Sequence, residues 1–416
     1  MRSLAAILTT GLLAMTLAPV AGAGIPELFY EGNPWPGCSA RALGMSQSAL
    51  DLSPMGALSN PALLARAPSG LSVSLSGGLG FDIERRSVRV YDSFGSLLGE
   101  SETAYNQGAD FVPAGLALSL RGVDWLPEAL AIGFGWRVPR SFDYEYSRIL
   151  RSESYVKTGE EILSSSGRIN EVSVALGLIP SEALGFGLGA GYVTGGRNLT
   201  WEERYVDPTI EDVLISDSHD ITGLVARGSV QYAPLARLSL IAGVEKHLSY
   251  EHGDGITPGG TVELPLRLSL GGIYVPGSRL RTTFTGSVYW SGDSQAEYAG
   301  TDMGLDDSWG VSAGVEHLIP AGPAVRFGFG FDRSPISRAL DAVRFSAGMG
   351  FRLSDWDLDL GLSFSPRRWR KASVPDLFPY TPSSDFPSPS FEEGDSLSVE
   401  ESSTMILISI GRSFEL

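Results

Sequence analysis

The chain is short of the residues on which soluble enzymes and nucleic-acid binders rely. Its single cysteine, Cys38, excludes an intramolecular disulfide. Cys38 follows Trp35-Pro36-Gly37, not a leucine-led run of small residues, which excludes a lipid-anchor cysteine and leaves an unpaired thiol packed in the fold. Lys and Arg number 31 against 48 Asp and Glu, a net charge of −17, so the clustered positive charge that phosphate contacts need is missing and nucleic-acid binding is excluded. Only 19 % of residues are charged, yet beyond residue 23 there is no run of about 18 apolar residues, which excludes helical membrane spans.

Catalytic groups are equally scarce. There are four histidines, His219, His247, His252 and His317. His219-Asp220 and His252 with Asp254 pair a histidine with an acid, but no second matched acidic pair accompanies them, and they read as solvated loop residues, not as a catalytic site. Asp302, Asp306 and Asp307 lack the spacing of an EF-hand loop, and no glycine-rich phosphate loop opens a helix, so neither metal nor cofactor is expected.

Present instead are 51 glycines, 10 % aromatics and a leader: Arg2, an apolar run from Leu4 to Leu17, and small residues at Ala21-Gly22-Ala23. Residues 1–23 read as a secretory signal peptide. From residue 70 onward the segments alternate with period 2. Trp356, Leu358, Leu360, Leu362 and Phe364 interleave with Asp357, Asp359, Gly361 and Ser363; Val325, Phe327, Phe329 and Phe331 interleave with Arg326, Gly328, Gly330 and Asp332. Tight links at about 123–128, 180–183, 233–236, 276–278, 320–323 and 354–355 take turns with longer polar stretches at about 93–110, 152–168, 207–220, 251–259, 291–308, 334–340 and 371–402. Short turns on one side and long loops on the other give the outer-membrane arrangement. The expected fold is all-β, a transmembrane antiparallel β-barrel of about 14 strands over residues 70–416, in the bacterial outer membrane with lipid around it. Trp125, Tyr232, Tyr274 and Trp356 near the turns, and Trp201, Trp290, Trp309 and Trp369 near the loops, would form two interfacial belts.

A barrel of about 14 strands has a lumen too wide for its own side chains to fill. Its inward positions carry charges of both signs, Arg121, Arg137, Glu171, Arg227, Glu245, Glu263, Arg267, Arg281, Glu316, Arg326, Asp332, Arg344, Arg352, Asp357 and Asp359, which are expected to pair across the wall or with a plug. The one ordered-looking stretch without strand periodicity, 39–66 within an N-terminal region of residues 24–69, is the available filler. Gly185, Gly187, Gly189 and Gly191 all face inward on the fifth strand, where glycine admits another backbone. Pro139 follows Gly133 and Gly135 on the third strand and cannot donate to the ladder, so a bulge is expected near Val138.

Ala40-Arg41-Ala42-Leu43-Gly44-Met45, a small and polar stretch, and then Asn60-Pro61-Ala62-Leu63 directly before the first strand resemble the N-terminal hatch of the FadL-type outer-membrane transporters, a superfamily that includes the PorV proteins of type IX secretion. The resemblance implies a hatch inside the lumen, with Arg41, Gly44, Met45, Asn60, Pro61, Ala62 and Leu63 in the gate, and a lateral opening at the kinked strand. It implies passive transport of small hydrophobic compounds, fatty-acid-like or aromatic. The alternative that it carries is a non-transporting interaction or scaffold protein, a PorV-like partner of a secretion machinery that docks a protein on its extracellular loops. Ser409, Gly411, Phe414 and Leu416 are similar to the C-terminal signal that the barrel assembly machinery reads, with Leu in place of the usual terminal aromatic.

Overall fold

Alternation at period 2 builds the wall. The computed structural model describes residues 32–34, 39–47, 51, 53–92, 94–151, 156–252, 260–277, 281–298, 301–370 and 398–415. The leader, Cys38, Asp254, most of the 371–402 stretch and Leu416 lie outside them, as does the side chain of Glu263.

Fourteen antiparallel strands form the ring: β1 (Gly70–Tyr91), β2 (Leu97–Arg121), β3 (Leu130–Ser141), β4 (Arg168–Ser181), β5 (Leu184–Tyr205), β6 (Val213–Leu235), β7 (Leu238–His252), β8 (Arg267–Tyr274), β9 (Thr282–Ser291), β10 (Ser308–Leu318), β11 (Ala324–Asp332), β12 (Ala342–Leu353), β13 (Trp356–Arg370) and β14 (Ser398–Phe414). Each pairs with the next, and β14 closes on β1 from Leu71–Phe414 to Ser87–Ser398, so the ring has no free edge along this join. Five shorter segments, Tyr144–Arg151, Lys157–Ser166, Gly260–Glu263, Ser294–Tyr298 and Thr301–Leu305, carry the wall upward on the long-loop side.

The wall is inverted relative to a soluble sandwich. Leu360 and Leu362 are 42 % and 41 % exposed while Ser363 on the same strand is 6 %; Phe327 is 58 % exposed and its neighbour Arg326 is 4 %. Apolar side chains outside and polar ones inside are stable only where the outside is hydrocarbon.

Four expectations need correction. The stretches 93–110, 152–168 and 207–220 are mostly strand, because alternation continues past the membrane level and the backbone keeps its ladder: β1 and β2 stay paired to Tyr91–Leu97 and β5 and β6 to Glu203–Val213. Trp201 and Trp369 are not belt residues; both are 9 % exposed and face the interior of the raised rim. His219 is not a solvated loop residue but an inward position of β6, buried and hydrogen-bonded to Asp217 at 2.8 Å. Arg281 also differs from its expected place, standing exposed in the turn before β9 with φ of 38° instead of facing the lumen.

Residues 39–67 lie inside the ring. Ser39 accepts the Ala42 N–H at 3.2 Å and starts α1 (Ala40–Leu43); Ser53 accepts the Gly56 N–H at 3.4 Å and, with Pro54 in the first turn, starts α2 (Pro54–Ser59). A 3-10 helix, Pro61–Arg66, follows. Elements this short bury no stripe of their own and take their stability from the wall.

Candidate functional site: the lumen

The N-terminal segment is seated on glycine at two opposite sectors. A Cβ at Gly187 would stand 2.0 Å from the Ala62 nitrogen, and one at Gly189 would stand 3.1 Å from Pro61 Cγ. At Gly185 the nearest atom is the Ala62 carbonyl oxygen at 3.6 Å, while Gly191 meets Glu171 and Val225, not the segment. Across the lumen, a Cβ on Gly328 would meet the Met45 carbonyl carbon at 2.4 Å, one on Gly361 the Ala40 oxygen at 2.3 Å, and Gly348 lies against Gly44. This second seat was missed in the sequence, although the same signal was there: Gly328, Gly348 and Gly361 are inward glycines on three consecutive strands. Gly133 and Gly135 precede the bulge on β3. They sit on regular ladder below the bulge and face Leu64 and Leu58.

Hydrogen bonds fix the seat. Ala40 N–H donates to Ser409 Oγ at 2.7 Å, Ala62 N–H to Ser229 Oγ at 2.8 Å, and Arg66 Nε to Gln231 Oε1 at 2.8 Å; the Ser46 and Ser346 hydroxyls are 2.8 Å apart. Arg41 donates to Glu316 at 2.8 Å, and Arg326 joins Glu316 (2.6 Å) to Asp359 (2.6 Å). On the other side Glu171 accepts from Arg137 (2.8 Å), Arg227 (2.5 Å) and Ser173 (2.6 Å); Arg227 also holds Glu245 at 2.5 Å, and Arg137 reaches Ser59 at 2.9 Å. Charges buried this deeply persist because each is paired and bonded. Leu63 and Leu64 complete the floor, packed with Ala57, Ala131, Ala175 and Ile241.

Above the segment is an open chamber of about 750 Å³. Its floor includes Ala42, Leu43, Ser46 and Asn60, and its sides include Asp82, Arg137, Glu171, Arg227, Arg267 and Tyr289. The chamber is therefore neither packed solid nor apolar throughout. Apolar character is concentrated at the long-loop end, where Tyr144, Tyr146, Leu163 and Trp201 form one cluster, Phe142, Ile169, Ile221 and Leu264 belong to a second, and Leu340, Trp369 and Val399 form a third.

The shortest ladder of the ring joins β2 and β3. These strands pair only from Gly115–Arg137 to Arg121–Ala131. On β3 the register to β4 jumps from Arg137–Glu171 to Arg140–Ile169, two residues against one, a bulge at Val138–Pro139. On β2 the register to β1 jumps from Ser76–Gly115 to Gly77–Pro113. Above these two bulges side chains replace the ladder: Arg168 donates to Asp110 (2.9 Å) and pairs with Asp143 (3.3 Å), and the Ser147 N–H donates to Asn106 (3.2 Å). The exposed edge of β3 is taken by the N-terminal residues, with Asn33 opposite Ser141 and Pro34 opposite Arg140.

At the join of the ring, Ser409 is buried and hydrogen-bonded to Ser76 at 2.6 Å, Gly411 pairs with Ser74 and Asp357, and Phe414 lies under the Arg412 guanidinium on the outer face.

No family model matches the chain and no curated protein matches it in sequence. Solved structures do match in fold. A FadL homologue from Pseudomonas aeruginosa superposes with a TM-score of 0.61 at 13 % identity over 92 % of this chain and 100 % of its own. The toluene transporter TbuX of Ralstonia pickettii gives 0.55 at 16 % identity over 92 % of this chain and 99 % of its own. The P. putida toluene transporter TodX gives 0.53 at 16 % identity over 87 % and 94 %. The chain has the fold of the FadL-type transporters.

Proposed function

We propose that this FadL-type barrel is a bacterial outer-membrane channel for passive passage of small hydrophobic compounds, aromatic or fatty-acid-like. The observation that carries the reading is the unfilled chamber between an apolar mouth and a seated N-terminal hatch. A compound leaves water at the mouth, where burial of its apolar surface stabilises it by about 25 cal/mol per Å². It passes through the chamber beside ion pairs whose charges are already matched, and leaves sideways through the seam at Val138–Pro139, where the exit faces lipid and not water. The hatch, held at Arg41, Gly44–Met45 and Asn60–Leu63, closes the axial route to the periplasm.

The test is uptake of radiolabelled toluene into vesicles that carry the wild-type protein, a variant lacking residues 39–66, or no protein. Wild-type uptake above the protein-free rate supports transport; equal rates would overturn it. Barrel assembly of the deletion variant, followed by its resistance to protease, separates lost gating from lost folding.

A second reading rests on the raised rim. The β1–β2 tip exposes Phe94 (92 %), Leu97 (54 %) and Leu98 (68 %) beyond the membrane level, a surface suited to docking a protein partner. Under that reading the same vesicles show no uptake, and replacing Phe94 and Leu98 with Ser releases a partner while the barrel stays intact.

A further inference from the structure

The loop between β11 and β12 does not project outward as a polar connection. It folds into the barrel mouth. Pro335 accepts the Asp306 N–H at 3.0 Å, Ser334 N–H donates to Asp341 at 3.0 Å, and the Ile336 N–H donates to Ser334 Oγ at 3.2 Å. Arg333 stands 3.8 Å from Asp306 and 3.7 Å from Asp307, and the short helix Arg338–Leu340 is capped by Ser337. These bonds tie the loop to the β10 side and to itself, and aim one side chain across the opening.

That side chain is Ile336. It packs against all three apolar clusters of the mouth: the one with Tyr146 and Trp201, the one with Phe142 and Leu264, and the one with Trp369 and Val399. The first two share β5, whereas the third comes from β13 and β14 on the opposite side of the ring, so a single residue joins walls that face each other. Arg333, Ser334, Pro335 and Ile336 also line the chamber, which places Ile336 between the mouth above and the charged chamber below.

We infer that Ile336 is the size-determining residue of the channel, an apolar keystone that every incoming molecule must pass. Its chemistry suits the role. An aliphatic side chain makes no hydrogen bond with a polar solute, so water and ions lose their partners at this level, whereas an apolar solute exchanges one hydrocarbon contact for another. Replacement by a smaller side chain widens the passage without touching the ion pairs or the hatch.

The inference rests on the transport reading, and two readouts keep their failures apart. The first is the ratio of biphenyl to toluene uptake in vesicles carrying wild type, Ile336→Ala or Ile336→Trp. Ile336→Ala should raise that ratio on the order of tenfold, the low end of what a methylene-scale change in an apolar site discriminates, and Ile336→Trp should lower it. The second needs no transport. Ser269, which lines the chamber, is replaced by Cys in a Cys38→Ser background, and its labelling by a membrane-impermeant maleimide from outside is timed. Ile336→Ala should speed labelling about tenfold, and Ile336→Val, which keeps the branched side chain, should leave it close to wild type. Unchanged labelling in Ile336→Ala would overturn the inference whatever the uptake. Faster labelling with no wild-type uptake of either probe would uphold Ile336 as the barrier and overturn the transport reading.

Discussion

Alanine placed at three glycines of one strand should have three different effects, because the same methyl group meets a different neighbour at each. At Gly187 it would stand 2.0 Å from the Ala62 nitrogen and 2.1 Å from the Pro61 carbonyl carbon, both backbone atoms that no rotamer change can move, about 1.4 Å short of the 3.4 Å at which ordinary contact begins. The hatch must lift, which breaks the Ala62–Ser229 hydrogen bond, worth about 1 kcal/mol. Overpacking adds about 1–3 kcal/mol, so Gly187→Ala should destabilise by about 2–4 kcal/mol. At Gly189 the nearest atom is a ring carbon of Pro61 at 3.1 Å, which a small shift relieves; the cost should be roughly 1 kcal/mol at most. At Gly185 the contact is an ordinary 3.6 Å and alanine should stabilise by about 0.4–1 kcal/mol through the unfolded chain. Urea unfolding of the refolded barrel in detergent, with tryptophan fluorescence as the signal, gives the three midpoints. Limited proteolysis should cut near residue 62 only in Gly187→Ala. Three equal midpoints would refute the assignment of β5 as the hatch seat.

Other outcomes follow from the ion pairs and the seam. Glu171→Leu leaves Arg137 with Ser59 alone and Arg227 with Glu245 alone, and should cost about 3–5 kcal/mol in the same unfolding assay. The double variant with Arg137→Leu should recover much of that loss, and additive effects would argue against direct pairing. Deleting Val138 restores one residue against one between β3 and β4 and removes a side chain buried against Ala40, Leu43 and Leu407, so it should slow toluene uptake and destabilise by about 1–3 kcal/mol; Val138→Ala, which keeps the bulge, should destabilise similarly but leave uptake unchanged, a split that a purely structural bulge would not produce. Arg41→Met removes one of the two arginines on Glu316 and should loosen the α1 end of the hatch, read as faster proteolysis near residue 45, with no change near residue 62.

The wall was legible in the sequence because period-2 alternation needs nothing but the wall's own residues: Trp356 to Phe364 announces its inner and outer faces without reference to any other strand. Strand number followed from the alternation of short and long links. Where each strand leaves the membrane was not legible, since the ladder rewards continued pairing in water as well as in lipid, and so β1, β2, β5 and β6 run past the polar residues that suggest loops. Side-chain parity could still have placed Trp201 and Trp369 inside, since both fall in register with inward positions. The β5 glycines were readable as a close approach, but not what approached at each: Gly191 meets Glu171, and the second seat at Gly328, Gly348 and Gly361 depends on a chain reversal inside the lumen. Ile336 was hidden for a similar reason. Two apolar residues in a polar loop, Ile336 and Leu340, are a weak signal until the loop's hydrogen bonds to β10 turn it inward.

The hatch can be tested most directly by locking it. Ser46 of the hatch and Ser346 of β12 bring their hydroxyl oxygens to 2.8 Å, so replacing both with Cys, in a Cys38→Ser background, sets two thiols where a disulfide can close. Toluene uptake is then timed in oxidised and reduced vesicles. If the hatch stays seated and the cargo leaves through the β2–β3 seam, the locked protein transports at the wild-type rate in both states, while the variant lacking 39–66 loses its axial seal and leaks small ions. Uptake abolished by the lock and restored by reductant would contradict the lateral route and make the hatch itself the moving gate.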